Sequence, residues 1–474
     1  MLELEDHLAR IRGAWMAGRA AVDHAPAAWR DAVGTGGEAE AALVALTGQA
    51  LQVLFRPVAP PLAARDLLPS LPMPTPPEAA RARIRRVLAA RRSEEGGARF
   101  VVQLLAARGY VMHPADWLPR ASDDWAPDVY APWIDWAAAE TAGASSEALT
   151  ADSWNDWPWA RRRVALTALR RSDPAAARAL VAAKAGGEPA ERRLRVLEVL
   201  EVGLSADDAA VLGGFASDRS DRVRGLVRRL LSRLGRGEGE GDAEPAQELA
   251  AMVELGCVGL IKRRHQLKLK PLKNPIQEGR RRALMGVVTL AALAKALGVD
   301  EKALVESVPV GEPWAISTFM GMVEETAAPE AWRALFDLAL HDAAIPLDLV
   351  AILARRAPAD ERRNVLPTIL EREDGSGFRG ALAVAGEVLG HAGPGPLARS
   401  LAYKELFDLI GPSLSAEART PPLLAVGLNN LGLLLDQAGA RSVVEACAAA
   451  GLSIADPRLD LLHLNIALNP ERPT

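Results

Sequence analysis

The sequence predicts an all-α protein, and three observations carry that prediction. Ala, Leu and Arg, all strong helix formers, dominate a chain of 474 residues. β-Branched runs are short, and no alternating stretch is bounded by an Asn-Gly or Asp-Gly turn. Apolar residues instead recur at three- and four-residue spacing. Over 220–234, Val223, Leu226, Val227, Leu230, Leu231 and Leu234 share one face. Arg222, Arg224, Arg228, Arg229 and Arg233 share the other.

Composition narrows the class. The chain is 49% hydrophobic and 24% charged, with a net charge of −4. It is long enough for two or three domains or one elongated array. That charge excludes a globally basic nucleic-acid binder but leaves room for a local basic patch. Two cysteines, Cys257 and Cys447, exclude a disulfide scaffold and a four-cysteine zinc site. Both fall in Ala/Gly-rich stretches expected to be helical, where each reads as a small buried hydrophobe. The start, Met1 to Asp6, is acidic and lacks the pattern of a signal peptide. The longest apolar run, 284–297, is broken by Lys295 and is too short for a membrane span. A cytoplasmic protein without a membrane partner is expected.

Taken in order, residues 1–56 suit two or three helices, broken at Gly34 to Gly37. Eight prolines fall within 57–77, so this stretch is an extended connector. A basic helix follows over 81–92, with Ile84, Val87 and Leu88 on one face. These elements make up an N-terminal helical region, 1–110. Residues 111–159 differ, because seven of the eleven tryptophans lie there among prolines and acids. Short helices with irregular connections are expected. Regular helices then fit 160–171, 174–185, 190–203, 206–215 and 220–234. Ser205 and Asp208 have the spacing of a capping box. The stretch 236–245 is a polar, Gly-rich linker. A C-terminal helical array, 246–474, completes the chain. Its helices are expected over 283–298, 300–307, 313–326, 329–341, 346–357, 358–371, 378–389, 397–410, 422–438 and 440–450. Short connections favour antiparallel pairs.

An internal echo runs through the middle. Ser172, Asp173 and Pro174, leading to Arg178, resemble Ser217 and Asp218, leading to Arg224. The two aspartates stand 45 residues apart. A fainter copy begins at Asp374. That period, built of helix pairs, fits HEAT-type repeats and an α-α superhelix. Aspartate at the turn, Asp173 or Asp218, is expected to cap the following helix through its free N–H groups. Arginine one or two turns later, Arg178 or Arg224, is expected to bridge neighbouring units.

The stretch from Arg161 to Arg178, the run Leu204 to Asp208 and the run Ser217 to Arg224 together resemble an uncharacterised bacterial family of HEAT-like helical proteins. Ala32 to Thr35 adds a weaker likeness. Members of that family are typically encoded beside a MoxR-type AAA+ ATPase, a von Willebrand factor A-domain protein and a SWIM zinc-finger protein. The resemblance therefore implies a setting and a set of partners, and it implies no reaction.

Motifs for chemistry are missing from the sequence. GxxxxGK[ST], HExxH and GxSxG do not occur, and the seven histidines show no ligand spacing. No catalytic, cofactor-binding or metal residue is assigned, and a non-enzyme is expected. Charge offers more. Lys262, Arg263, Arg264, Lys268, Lys270, Lys273, Arg280, Arg281 and Arg282 face a single acid, Glu278, within 262–282. Four of the eight lysines lie in this stretch. Together with Arg222, Arg228, Arg229 and Arg233, it forms the candidate docking surface. A solvated loop, an acidic protein partner and phosphate or nucleic acid all fit such a stretch. No aromatic residue interleaves it, which weakens single-strand stacking. The tryptophans suit either a closed helical layer or an exposed hot spot. Trp154, Asp156, Trp157, Trp159 and Arg161 also match, in composition only, the cleft of HEAT-like DNA glycosylases. The expectation is a scaffold or adaptor that needs no cofactor and binds an AAA+ ATPase or A-domain protein. A nucleic-acid binder, with a base-excision enzyme as its sharper form, is the alternative.

Overall fold

The computed structural model describes residues 2–54, 67–90, 98–120, 123, 125–142, 149–157, 159–237, 243–258, 264–309, 312–375, 377–414 and 422–468. It divides the chain into two units, Met1–Leu67 and Leu68–Thr474.

The first unit holds α1 (Leu2–Met16), α2 (Ala27–Val33) and α3 (Ala39–Leu54). Ile11, Ala14 and Leu43 pack with Ala21 and Ala25. Glu40 ties the elements together. Its carboxylate accepts the Trp15 indole N–H at 2.8 Å and the N–H groups of Ala21 and Val22 at 2.7 and 3.1 Å. The Trp15 bond above all, helped by those two backbone bonds, holds its pKa below the usual carboxylate value against desolvation.

The second unit begins with α4 (Glu78–Ala90), α5 (Arg99–Ala107) and α6 (Ala131–Ala142). Next come α7 (Trp159–Ser172), α8 (Pro174–Lys184), α9 (Ala190–Glu198), α10 (Ala209–Gly213) and α11 (Asp221–Arg233). After α12 (Ala243–Ala251) stand two strands, β1 (Val253–Val258) and β2 (Arg264–Leu269). The chain continues through α13 (Pro275–Met285), α14 (Leu290–Leu297), α15 (Glu301–Val305), α16 (Pro313–Thr326), α17 (Pro329–His341) and α18 (Leu347–Ala354). It closes with α19 (Ala359–Arg372), α20 (Arg379–Ala385), α21 (Leu401–Asp408), α22 (Ile410–Ser413), α23 (Pro422–Leu434), α24 (Gln437–Ala449) and α25 (Asp460–Ala467).

The fold is mostly helical, as expected, and the hairpin is the correction. Val253 pairs with Leu269 and Leu255 with Leu267, while Glu254 lies opposite Lys268. This is an alternating pattern with an opposite-charge cross-strand pair, but each strand spans only six residues. Leu267 is fully buried, and its N–H donates to Ser307 O at 2.8 Å. Cys257 therefore stands in a strand and not in a helix.

Several helix ends also shift. The single helix expected over 283–298 is two. Thr289 caps α14 by accepting from Ala292 N–H. Asp436 splits α23 from α24 in the same way, accepting from Gly439 N–H. The C-terminal α25 lies beyond every helix that periodicity indicates.

Within 301–385, α15 packs on α17 and α17 on α19, while α16 packs on α18 and α18 on α20. Odd- and even-numbered helices thus form two adjoining rows. The division of the chain falls at residue 67. Past it, α4 packs on α25. Arg83 and Arg86 on α4 both bond the Asp460 carboxylate. Residues 238–242 of the expected linker lie outside the described residues, but its flanks are joined elsewhere. Ser232 Oγ donates to Thr326 O at 2.6 Å, so α11 is pinned to α16.

At Gly432, α23 and α25 come close. A Cβ there would lie 3.0 Å from the backbone of Leu461 and Leu462. Gly432→Ala is expected to push α25 away and lower stability by about 1–3 kcal/mol, read from urea denaturation midpoints.

Candidate functional site

Buried arginines hold the middle of the chain. Arg170 on α7 and Asp208 are both sealed from solvent, joined at 2.6 and 3.0 Å in a two-pronged pair. Arg170 also donates to Val202 O and Gly203 O, just beyond α9, at 2.8 and 3.0 Å, and to Pro174 O at 3.2 Å. Arg178 on α8 also reaches Asp208, at 2.9 Å. Glu188 accepts from Arg162 and from the Trp154 indole, and Arg193 pairs with Asp218.

The repeat residues play unequal parts. Asp173 caps α8, accepting from Ala176 N–H at 2.9 Å, and Arg178 bridges forward to Asp207 and Asp208. Asp218 departs from expectation. It accepts from Ser220 N–H at 2.9 Å and from Arg193, and it accepts no capping bond from the first turn of α11. Arg224 stays local, bonding Asp218 O and Asp221. In the faint third copy, Glu373 and not Asp374 takes the N-terminus of α20, accepting from Ala381 N–H at 2.7 Å. The Ser205–Asp208 capping box forms, with Asp208 accepting from Ser205 N–H at 2.9 Å.

The arginine face of α11 is largely turned into the molecule. Arg229 pairs with Glu325 of α16 at 2.8 Å. Arg233 is half-buried beside Glu201, Glu324 and Arg356. Burial raises the pKa of Glu324, and it lowers that of Arg356 to about 10 with help from the like charge of Arg233. Arg356 also donates to Ala327 O at 2.8 Å, at the C-terminal end of α16, where helix carbonyls favour a cation. Arg228 is half-buried, and Arg222 is exposed in a pair with Glu191 at 2.6 Å.

The basic stretch sits elsewhere, on the hairpin and α13. Lys262 and Arg263 lie outside the described residues, and of Arg264 only the strand position is described. Arg281 is buried, donating to Lys270 O at 2.7 Å. Arg280 pairs with Glu248, and Lys270 Nζ donates to Ala251 O at 3.0 Å. Arg282 lies over the Trp314 ring, 4.5 Å from its centre, with its side chain exposed. Lys268 and Lys273 are exposed and make no ion pair among the described residues. Two apolar side chains in or just after α13 are also exposed, Ile276 at 82% and Val287 at 64%.

The tryptophan region is mostly interior. Trp133, Trp154 and Trp157 are buried. Arg162 stacks over Trp154 at 4.7 Å. Trp125, Trp117, Tyr130 and Trp133 form a chain of ring contacts 5.3–5.7 Å apart. Asp156 is exposed, Trp159 is half-buried, and the side chain of Arg161 lies outside the described residues. Cys447 is buried, and desolvation raises its thiol pKa to about 12, which makes it a poor nucleophile. Among the described residues, no three His, Cys, Asp or Glu side chains are grouped to hold a metal ion. No described helix is long and apolar enough to cross a membrane.

The model of a family of unknown function, DUF5691, matches residues 130–448, about two thirds of the 474-residue chain. The chain belongs to that family. Its matched span takes in the buried arginine pairs, the hairpin and α13, and stops before α25. No curated protein and no solved structure matches the chain.

Sequence reasoning found the basic stretch, but not that it lies on a hairpin. It also missed that Arg229 and Arg233 of α11 face Glu324 and Glu325 of α16. The acids that hold them, Glu201, Glu324 and Glu325, were the available signal. They lie 28 to 96 residues from Arg229 and Arg233 and follow no local spacing.

Proposed function

We propose that the chain is a non-catalytic, HEAT-like scaffold that docks an acidic protein partner on its hairpin and α13. One observation carries this reading. Lys268, Lys273 and Arg282 and the apolar Ile276 and Val287 are all exposed within residues 268–287, and the two lysines make no ion pair among the described residues. Apolar anchors in a mainly cationic stretch suit a protein interface, where charge steers and apolar contact holds. The two rows of helices over 301–385 support the repeat reading, since stacked pairs build binding surfaces without catalytic groups. An AAA+ ATPase or its A-domain companion, the setting that the family resemblance implies, is the first partner to test.

The test is affinity capture from native lysate, with and without nuclease. A triple charge reversal, Lys268→Glu, Lys273→Glu and Arg282→Glu, is compared with the parent chain. Capture of an acidic protein that survives nuclease and falls roughly tenfold or more in the triple variant supports the docking face. Arg222→Glu, at the exposed Glu191 pair, is expected to leave capture unchanged. Equal capture by the triple variant removes the face from consideration. Loss of the captured protein with nuclease would transfer the same cations to nucleic acid.

A further inference from the structure

Helix α5 carries an anomaly. Its sequence, Arg99-Phe100-Val101-Val102-Gln103-Leu104-Leu105, buries Val101, Val102, Leu104 and Leu105 completely. Gln103 lies among them at 4% exposure, and neither its amide nitrogen nor its oxygen has a hydrogen-bond partner. A chain rarely leaves both atoms of a buried amide unpaired, because each was hydrogen-bonded to water before folding. Gln103 also lines a cavity of about 350 Å³, shared with Trp125, Asp128, Arg171 and Glu387. A second cavity, of about 270 Å³, shares the wall formed by Ala126, Pro127, Asp128 and Arg171.

We propose that this cavity binds a nucleoside or free nucleobase, with the ring against Trp125 and its polar edge on Gln103. An amide offers one donor and one acceptor side by side, the complement of the paired groups on a base edge. Both amide atoms are sealed from solvent in this structure, so binding requires the Gln103 side chain to swing its amide to the cavity wall. Trp125 is the half-buried outer member of the aromatic chain and supplies a π-surface for stacking. The volume lies at the lower end of ligand pockets, roughly 300–1,000 Å³, which suits a base or nucleoside better than a dinucleotide. Charge at the rim selects further. Arg171 is already paired with Asp128 at 2.5 Å, and Arg99 stands 3.5 Å from Glu387. Both carboxylates are well exposed, placed to accept from sugar hydroxyls and to repel a phosphate.

The experiment is calorimetric titration of the full chain with adenosine, guanosine, cytidine and uridine, and with their 5′-monophosphates. At least one nucleoside is expected to bind, and its monophosphate to bind roughly tenfold or more weakly. Gln103→Leu is expected to weaken that nucleoside by a similar factor while raising the melting temperature, because two unpaired polar atoms leave the interior. That rise separates lost binding from lost folding. Trp125→Ala is the second variant and is expected to weaken binding with or without a change in melting temperature. Absence of binding by all four nucleosides at millimolar concentration overturns the proposal. So does undiminished binding by Gln103→Leu, or tighter binding of the monophosphates.

Discussion

Asp208→Ala is expected to lower the unfolding free energy by about 3–5 kcal/mol, the range for breaking a buried ion pair by removing one partner. Few single changes leave more behind. Arg170 keeps its carbonyl contacts at Val202 and Gly203 but loses the only carboxylate it touches among the described residues. Arg178 retains Asp207 at 3.3 Å, and Ser205 loses its capping box. Removing both charges tests where the cost arises. Arg170→Met with Asp208→Leu is expected to recover most of it, leaving about 1 kcal/mol for the lost cap. Urea denaturation of the parent and these two variants measures these differences.

The same carboxylate makes stability depend on pH. Burial pushes Asp208 upward, but bonds from Arg170, Ser205 N–H and Arg178 outweigh it and hold the pKa below 3.8. A carboxyl depressed on folding contributes stability that is fully present above its unfolded pKa. The contribution is lost as the pH falls through the lower, folded value. Parent stability should therefore decline more steeply than that of Asp208→Ala as the pH drops below 3.8. Parallel curves for the two would mean that Asp208 is not the group responsible.

How much of this was legible depended on distance along the chain. Asp173 and the Ser205–Asp208 box are local devices, three residues across, and both could be read directly. Arg170 could not be matched to Asp208, because 38 residues separate them and other acids lie nearer in sequence. Asp218 misled for a related reason. Its surroundings resemble those of Asp173, but Arg193 from α9 claims the carboxylate and the cap is lost. The hairpin was hidden by its brevity and by Gly256, which interrupts the alternation of β1. Helix α25 failed the periodicity test because Leu461, Leu462 and Leu464 are all fully buried. A helix packed on several sides shows no polar stripe. Gln103 left no signal at all, since a single glutamine in an apolar helix looks the same whether or not its amide finds a partner.

Asn465→Leu should cost about 3 kcal/mol, and its effect should be confined to one part of the second unit. Asn465 is fully buried on α25. Its Oδ1 accepts from Arg108 at 2.6 and 3.0 Å, and its Nδ2 donates to Gly432 O at 2.9 Å and Leu435 O at 2.6 Å. Leucine fills nearly the same volume, so the loss is of polar partners and not of packing. Arg108 suffers most. Desolvation already lowers its pKa against the pull of Asp436, and among the described residues it would retain only the 3.3 Å contact to Leu435 O. Each buried group left unpaired costs about 1–3 kcal/mol, and more when charged. Leu461, Leu464 and Leu468 share a core with α4, α5 and α6, apart from the cluster that holds α7 to α11. Loosening α25 should therefore speed amide exchange in α4, α5 and α25 together and leave α8 and α11 protected. Uniformly faster exchange would instead mean that the second unit opens as one cooperative body. The local weakness would then be absorbed by the whole, and α25 would be a fixed part of its core and not a separable clasp.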